Sequence, residues 1–163
     1  MKRAPALDRI DVKILAELQR DGRSTIQKLA ETIGLSARAT LERVRRLEAA
    51  GVIAGYQAVV ELRQLSRPVN IFAEIVLAKH SQRAQVERRL AAVEEVVECW
   101  EVTGATDYLA RFMCADLATY ETLSTRLIDD PILGISRIVS HVALRPVRRF
   151  AGYPESLLSH KPR

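Results

Sequence analysis

Apolar positions recur with a helical period over the first third of the chain. Leu7, Ile10, Ile14, Leu15 and Leu18 share one face of a segment spanning 7–18. Ile26, Leu29, Ala30 and Ile33 repeat that spacing, and Ser24 stands where an N-cap hydroxyl would accept from backbone donors two or three residues on. Gly34 closes this second helix, since glycine enters the left-handed region at low cost, and Ser36 caps a third. In that third helix Ala37, Leu41, Val44 and Leu47 form an inward stripe. Arg38, Arg43, Arg45 and Arg46 lie mostly off the stripe, with one acid, Glu42, among them. Val52 to Val60 is rich in β-branched residues and holds Gly55-Tyr56, which predicts a short strand or wing. Two helices joined by a tight turn, the second presenting arginines, have the geometry that fits a DNA major groove. An arginine-rich face is also what ordinary solvated surface looks like, so the neighbouring segments matter. The first helix supplies the third element such a unit needs to bury its apolar side.

The period changes beyond residues 61–68, a linker in which Pro68 biases Arg67 towards extended geometry. Val69 to Ala78 reads as a strand apolar on both faces, with Val69, Ile71, Ala73, Ile75 and Leu77 on one and Phe72, Val76 and Ala78 on the other. An amphipathic helix follows over Ser81 to Val93, turning Val86, Leu90 and Val93 inward. Val96 to Thr103 and Tyr108 to Ala115 predict two strands around a tight Gly104-Ala105-Thr106-Asp107 connection. Leu117 to Ile128 predicts a second helix with Tyr120, Leu123 and Leu127 in register, and Ile135 to Leu144 a fourth strand. The order βαββαβ is that of a ferredoxin-like fold, so the whole chain is read as α+β. Its domains are a winged helix-turn-helix over 1–60, the linker, a ferredoxin-like domain over 69–150, and a C-terminal tail over 151–163. Right-handed crossovers place both helices on one sheet face. A strand apolar on both sides must bury both, and a second copy of the chain is the simplest cover for the other face. The same dimer would set two recognition helices about one DNA turn (~34 Å) apart on a palindrome.

Composition sharpens this picture. The 163 residues are enough for two small domains, and charge is unevenly spread along them. Residues 1–66 hold 12 basic and 8 acidic side chains (net +4), 67–130 hold 7 and 11 (net −4), and 131–163 hold 6 and 1 (net +5). Basic ends favour a polyanion partner, and the acidic middle does not. The two cysteines, Cys99 and Cys114, fall in strand-like runs without a nearby Cys or His at a ligand spacing. They are expected to be reduced, buried thiols, and no metal site is expected. Apolar runs fall short of the roughly 18 residues that a membrane span needs. Met1 to Ala6 lacks the apolar stretch of a signal peptide, so a cytoplasmic protein without a membrane partner is expected. Neither a nucleophile–base arrangement nor a glycine-rich phosphate loop is present, so no catalytic residue and no cofactor is expected.

Four stretches carry a resemblance. They are Leu7-Asp8-Arg9-Ile10-Asp11 with Ile14-Leu15; Gly34-Leu35-Ser36; Leu41-Glu42-Arg43-Val44-Arg45-Arg46-Leu47-Glu48; and Val102-Thr103-Gly104-Ala105-Thr106-Asp107-Tyr108. Together they make the chain resemble the leucine-responsive/asparagine regulator (Lrp/AsnC) family of prokaryotic transcription factors over nearly its whole length. The resemblance implies an N-terminal winged helix-turn-helix and a C-terminal ferredoxin-like domain that forms dimers, often assembled into octamers. It also implies an amino-acid effector bound between dimers, and a place on the nucleoid.

Carried onto this sequence, the DNA-reading segment is about Ile26 to Arg45, preceded by Ser24 and Thr25. Ser36, Arg38, Ala39 and Glu42 are expected near base edges, with Arg38 first for a bidentate guanine contact, and Thr40 is counted among the DNA-binding residues. Arg43, Arg45 and Arg46 are expected to meet phosphates or hold orientation. A helical ion pair from Arg46 to Glu42 is the alternative for Arg46. The effector would be bound at Thr103, Gly104, Ala105 and Asp107 on the turn, Leu117 on the next helix, and His141, Val142 and Ala143 on the last strand. Asp107 can accept from an ammonium, and backbone donors near Gly104 can receive a carboxylate. Asp107 as a turn former, His141 as a packing or subunit-contact residue, and Trp100 as a core or dimer residue are the plainer alternatives. His141 stands where the family often holds an aromatic or hydroxyl residue, and the turn lacks the extra acid or amide common after its glycine. An architectural DNA-binding protein without an effector fits the same features. So does a sensor whose helix-turn-helix has become a protein contact; a small ferredoxin-like enzyme is the further alternative, for which the chain offers no catalytic arrangement.

Overall fold

A computed structural model describes residues 7–78 and 83–159. The Met1 to Ala6 segment, the first two residues of the predicted Ser81 helix and the end of the tail lie outside them. The chain forms two compact units, one of residues 1–59 with 148–163, the other of 60–147.

The first unit is a three-helix bundle of α1 (Arg9–Arg20), α2 (Ile26–Ile33) and α3 (Ala37–Ala49). Its core is Ile14, Leu15, Leu29, Val44 and Leu47, the residues the helical period selects. Asp8 caps α1 by accepting from the Ile10 and Asp11 amides, and Asp11 reaches back to the Asp8 N–H to complete a capping box. The cap of α2 is Thr25, which accepts from Lys28 N; the helix starts one residue later than Ser24 would require. Gly34 ends α2 at φ 75°, where a side chain would strain, and Ser36 caps α3 by accepting from Ala39 N.

The wing differs from expectation. Val52 to Val60 forms no strand. Val52 and Ile53 fold back instead, their amides both donating to the Leu47 carbonyl and their side chains packing on the bundle core. Val59 is left 91% exposed.

Residues 148–159 belong to the first unit and include a short helix, α6 (Glu155–Leu158), whose partly buried Leu158 packs against the same core.

The second unit is a four-stranded antiparallel sheet with two helices. After a 3-10 turn at Leu62–Gln64 come β1 (Val69–Leu77), α4 (Arg83–Ala91), β2 (Val96–Glu101), β3 (Tyr108–Cys114), α5 (Leu117–Asp129) and β4 (Ile135–Val142). The strand order is β2-β3-β1-β4. Ile71, Ala73 and Ile75 of β1 and Tyr108, Ala110, Phe112 and Cys114 of β3 face Val86 and Leu90 of α4 and Tyr120 and Leu127 of α5. Phe112 and Tyr120 meet edge to face at 5.4 Å, and the Tyr120 hydroxyl bonds Ser140 of β4.

Among the described residues of this unit, no helix covers the opposite sheet face. It is more polar than the β1 sequence alone suggests, since Asn70 and Glu74 alternate with Phe72 and Val76. Arg111 lies 5.9 Å over the Phe72 ring and bonds Asn70 and Glu98, and His141 pairs with Glu74 at 3.2 Å. Trp100, opposite Leu109 in the register, is on this face and 47% exposed, so it is not a core residue. Cys99 is also exposed rather than buried, because β2 is the sheet's edge; only Cys114 is enclosed. The two thiols do not face each other, since Cys99 pairs with Ala110 and Cys114 with Val69.

Candidate nucleic-acid interface and effector site

Helix α3 presents two different basic faces. Its outer stripe holds Ser36, Arg38, Glu42 and Arg45, all exposed, with Ala39 half-buried beside them. Arg38 is the most open, its side chain 91% exposed and lightly held by Glu42 at 3.3 Å. An exposed pair of this kind contributes only about 0–1 kcal/mol, so releasing Arg38 to a base costs little. Arg45 forms no ion pair among the described residues.

The inner basic face is committed elsewhere. Arg43 donates to Asp8 at 2.7 Å and to Asp11 at 2.8 Å, and one Arg46 nitrogen donates to both Asp11 oxygens at 2.7 and 2.6 Å. The Asp11 carboxylate is 1% exposed and is fully satisfied by these two guanidiniums and the Asp8 N–H. These bonds span 32 to 35 residues and pin α1 to α3. Arg43 and Arg46 therefore tie α3 to α1 through Asp11. The Arg46–Glu42 pair does not form, because Glu42 takes Arg38 and Arg46 takes Asp11. Thr40 is wholly buried and donates to the Ser36 carbonyl, so it shapes the helix start and has no path to a groove. Ser24 is half-buried with its amide on the Asp21 carbonyl, and Thr25 is exposed with its hydroxyl used as the α2 cap.

In the second unit the turn residues cluster at one end of the sheet. Gly104 turns the chain at φ 120°, and Thr103 and Ala105 are exposed on either side. Asp107 accepts from Leu77 N at 2.8 Å through one oxygen and from Arg83 at 2.7 Å through the other. Arg83 also holds Glu101 at 2.9 Å. These acids, Asp107 first, push the Arg83 guanidinium's pKa above its ordinary value. Arg83 and Glu101 are absent from the sequence-derived site, because the partners of a turn residue on other elements leave no local signal.

The remaining candidates stand at the other end. Val142 pairs with Ile71, Ala143 N donates to Asn70 O, and Leu117 opens α5 just past Cys114, which pairs with Val69. The turn sits beside Ile75, since Asp107 N donates to the Ile75 carbonyl. Four residues of β1 separate the two groups, about 13 Å at ~3.3 Å per residue. One chain thus splits the eight expected effector residues into two sets that do not meet.

Comparison with known proteins decides the family. Residues 7–54 match a winged helix-turn-helix DNA-binding model, and residues 70–152 match the Lrp/AsnC ligand binding domain. The chain belongs to the Lrp/AsnC family. It is 41% identical over 148 residues to the transcriptional regulatory protein DoeX of Halomonas elongata, covering 88% of this chain and 91% of that one. It is 40% identical over 151 residues to the leucine-responsive regulatory protein of Haemophilus influenzae, covering 91% and 90%. An AsnC family transcriptional regulator from Agrobacterium tumefaciens superposes with a TM-score of 0.85 at 28% identity, over 93% of this chain and 99% of that one. A transcriptional regulator from Neisseria meningitidis, solved as a complex with L-Met, gives 0.83 at 28% identity over 93% and 99%. This Lrp/AsnC chain is accordingly a DNA-binding transcriptional regulator with a ligand-binding domain. Among the described residues no helix is long and apolar enough to cross a membrane.

The bundle of this Lrp/AsnC chain is expected to depend on pH through Asp8. The Asp11 amide, and then Arg43, hold the Asp8 carboxyl below the usual carboxylate range. A lowered folded-state pKa means that the contribution is present above the unfolded value and lost as pH falls through the folded one. The first unit is therefore expected to melt at progressively lower temperature below about pH 4. Asp8→Asn should flatten that dependence in a thermal-denaturation series across pH 2–6; an unchanged slope would refute the assignment.

Proposed function

We propose that this regulator reads duplex DNA through Ser36, Arg38, Ala39, Glu42 and Arg45, while Arg43 and Arg46 position the helix from behind. The observation that carries this is the division of α3 into an open stripe and a face tied to the buried Asp11. Arg38→Ala is expected to weaken binding to the gene's own upstream DNA by about 1–3 kcal/mol and to relax base preference. Arg45→Ala should weaken all sequences alike and reduce the slope of log affinity against log salt by about 1. Mobility shifts at several salt concentrations read both. Parental affinity in Arg38→Ala, or a flat salt response in the parent, would count against the groove contact.

Two copies meet, on this reading, through the sheet face that carries Trp100, Phe72, Leu109 and Met113, and larger assemblies such as octamers form from those dimers. The effector is an amino acid, as the neisserial relative's complex with L-Met suggests. Its site is shared between chains, with Thr103, Gly104, Ala105 and Asp107 from one copy and Leu117, His141, Val142 and Ala143 from another. The split of these residues to opposite sheet ends supports a shared site. The effector's carboxylate would be received near Gly104 and Arg83, and its ammonium by the acids Arg83 releases. It shifts DNA occupancy only by its differential affinity for two assemblies, typically 1–3 kcal/mol of coupling.

A second reading has one observation in its favour. Both Asp107 oxygens are already bonded within the chain, which suits an architectural DNA-binding protein without an effector. Calorimetry with the twenty amino acids separates the two, since heat of binding together with altered DNA affinity is expected only of the first. Acting on the chromosome in the cytoplasm follows from either.

A further inference from the structure

The chain between Val142 and Ser159 leaves the last strand of the ligand-binding unit and ends on α1 of the DNA-binding unit. Its seat there is specific. The Gln19 side chain accepts from Tyr153 N at 2.6 Å and donates to Tyr153 O at 3.2 Å. One amide thus grips one backbone residue from both sides, as a neighbouring strand would. Gly152 makes the grip possible. It sits at φ 106°, and a Cβ there would lie 2.9 Å from Gln19 Oε1 and 3.0 Å from Gln19 Cβ and Cδ. Phe150 and Tyr153 pack edge to face at 5.0 Å, and Leu158, partly buried, packs against the bundle core.

We propose that residues 148–159 form a clasp on α1, giving the chain a second joint between its units besides residues 60–68. The clasp acts on the helix that Asp11 ties to α3, so its closure sets how firmly the recognition helix is held. The proposal goes beyond the groove contacts above and does not depend on which residues make them.

Three full-length variants test it: Gln19→Ala, which removes both bonds while favouring the helix, Gly152→Ala, and Gln19→Glu, which can still accept from Tyr153 N. Amide hydrogen exchange of Tyr153 should quicken roughly 10-fold or more in Gln19→Ala and Gly152→Ala, in line with two lost hydrogen bonds, and less in Gln19→Glu. DNA affinity should fall about 3- to 10-fold in the same order, with oligomer size and the thermal midpoint of the ligand-binding unit unchanged. Fast Tyr153 exchange in the parent, or protection that vanishes on dilution, would overturn the clasp within one chain. Quickened exchange with parental DNA affinity would overturn its influence on the recognition helix. A parent that binds no DNA would instead strike at the DNA-binding function, leaving the exchange result to judge the clasp.

Discussion

Asp11→Ala is expected to lower the stability of the first unit by about 2–3 kcal/mol and to abolish high-affinity DNA binding. The reason is how fully this one carboxylate is used. It is 1% exposed, closes the α1 capping box, and accepts from both Arg43 and Arg46. Removing one partner of a buried ion pair typically costs 3–5 kcal/mol, because the other charge is left buried. Here Arg43 is 25% and Arg46 52% exposed, so both regain water and the loss is smaller. A hydrogen bond to a charged group nonetheless contributes roughly 1.5–3 kcal/mol, and the cap is lost as well. Asp11→Asn keeps the shape and an acceptor for the Asp8 N–H, so it should fall between alanine and the parent. Asp8→Asn should cost less than about 1 kcal/mol, since Asp8 is half exposed. Hydrogen exchange at Leu15 and Leu47 reports this unit separately from the other. A change in Asp11→Ala no larger than that of a surface substitution, about 0.5 kcal/mol, would show that the pin between α1 and α3 has little weight.

Trp100→Glu should turn the assembly into monomers and weaken operator binding by about 30- to 1,000-fold, the range of a 2–4 kcal/mol interface hot spot. Trp100 is 47% exposed on the sheet face away from α4 and α5, opposite Leu109 and two residues from Glu98. A second copy laid on that face would bury the indole. A carboxylate in its place would be desolvated beside another acid, with Arg111 already shared between Asn70 and Glu98. The fold itself should survive, because the core lies on the other side of the sheet, around Phe112 and Tyr120. Light scattering gives the mass and mobility shift the affinity. A variant of parental mass at micromolar concentration would show that the copies meet elsewhere.

The two variants probe features that differed in how far they could be read in the residue order. Periodicity is local, and it located α1 to α3 and the βαββαβ order within a few residues. The inward stripe of Val44 and Leu47 and the alternation of Ile71, Ala73 and Ile75 became the two cores as expected. Local signals decided less well which side chains stay free. Four arginines spaced along one helix look alike in sequence. Two of them are spoken for only because Asp8 and Asp11 arrive from another helix. Thr40 reads as an accessible hydroxyl until the bundle closes over it. The strand expected from the β-branched residues of Val52 to Val60 does not form, because Val52 and Ile53 are folded back onto the Leu47 carbonyl instead of into a ladder.

By itself, then, the sequence determined the helices, the strands, their order and the family, since caps, glycine turns and the two apolar periods act over a few residues. Tertiary structure alone decided which arginines face outward, that Trp100 lies bare, that Asp107 is bonded to Leu77 and Arg83, and that the C-terminal segment comes back to Gln19. The bonds among these join groups from 24 to 134 residues apart. Burial and charge pairing are set by whatever packs against a residue, and no spacing along the chain encodes that.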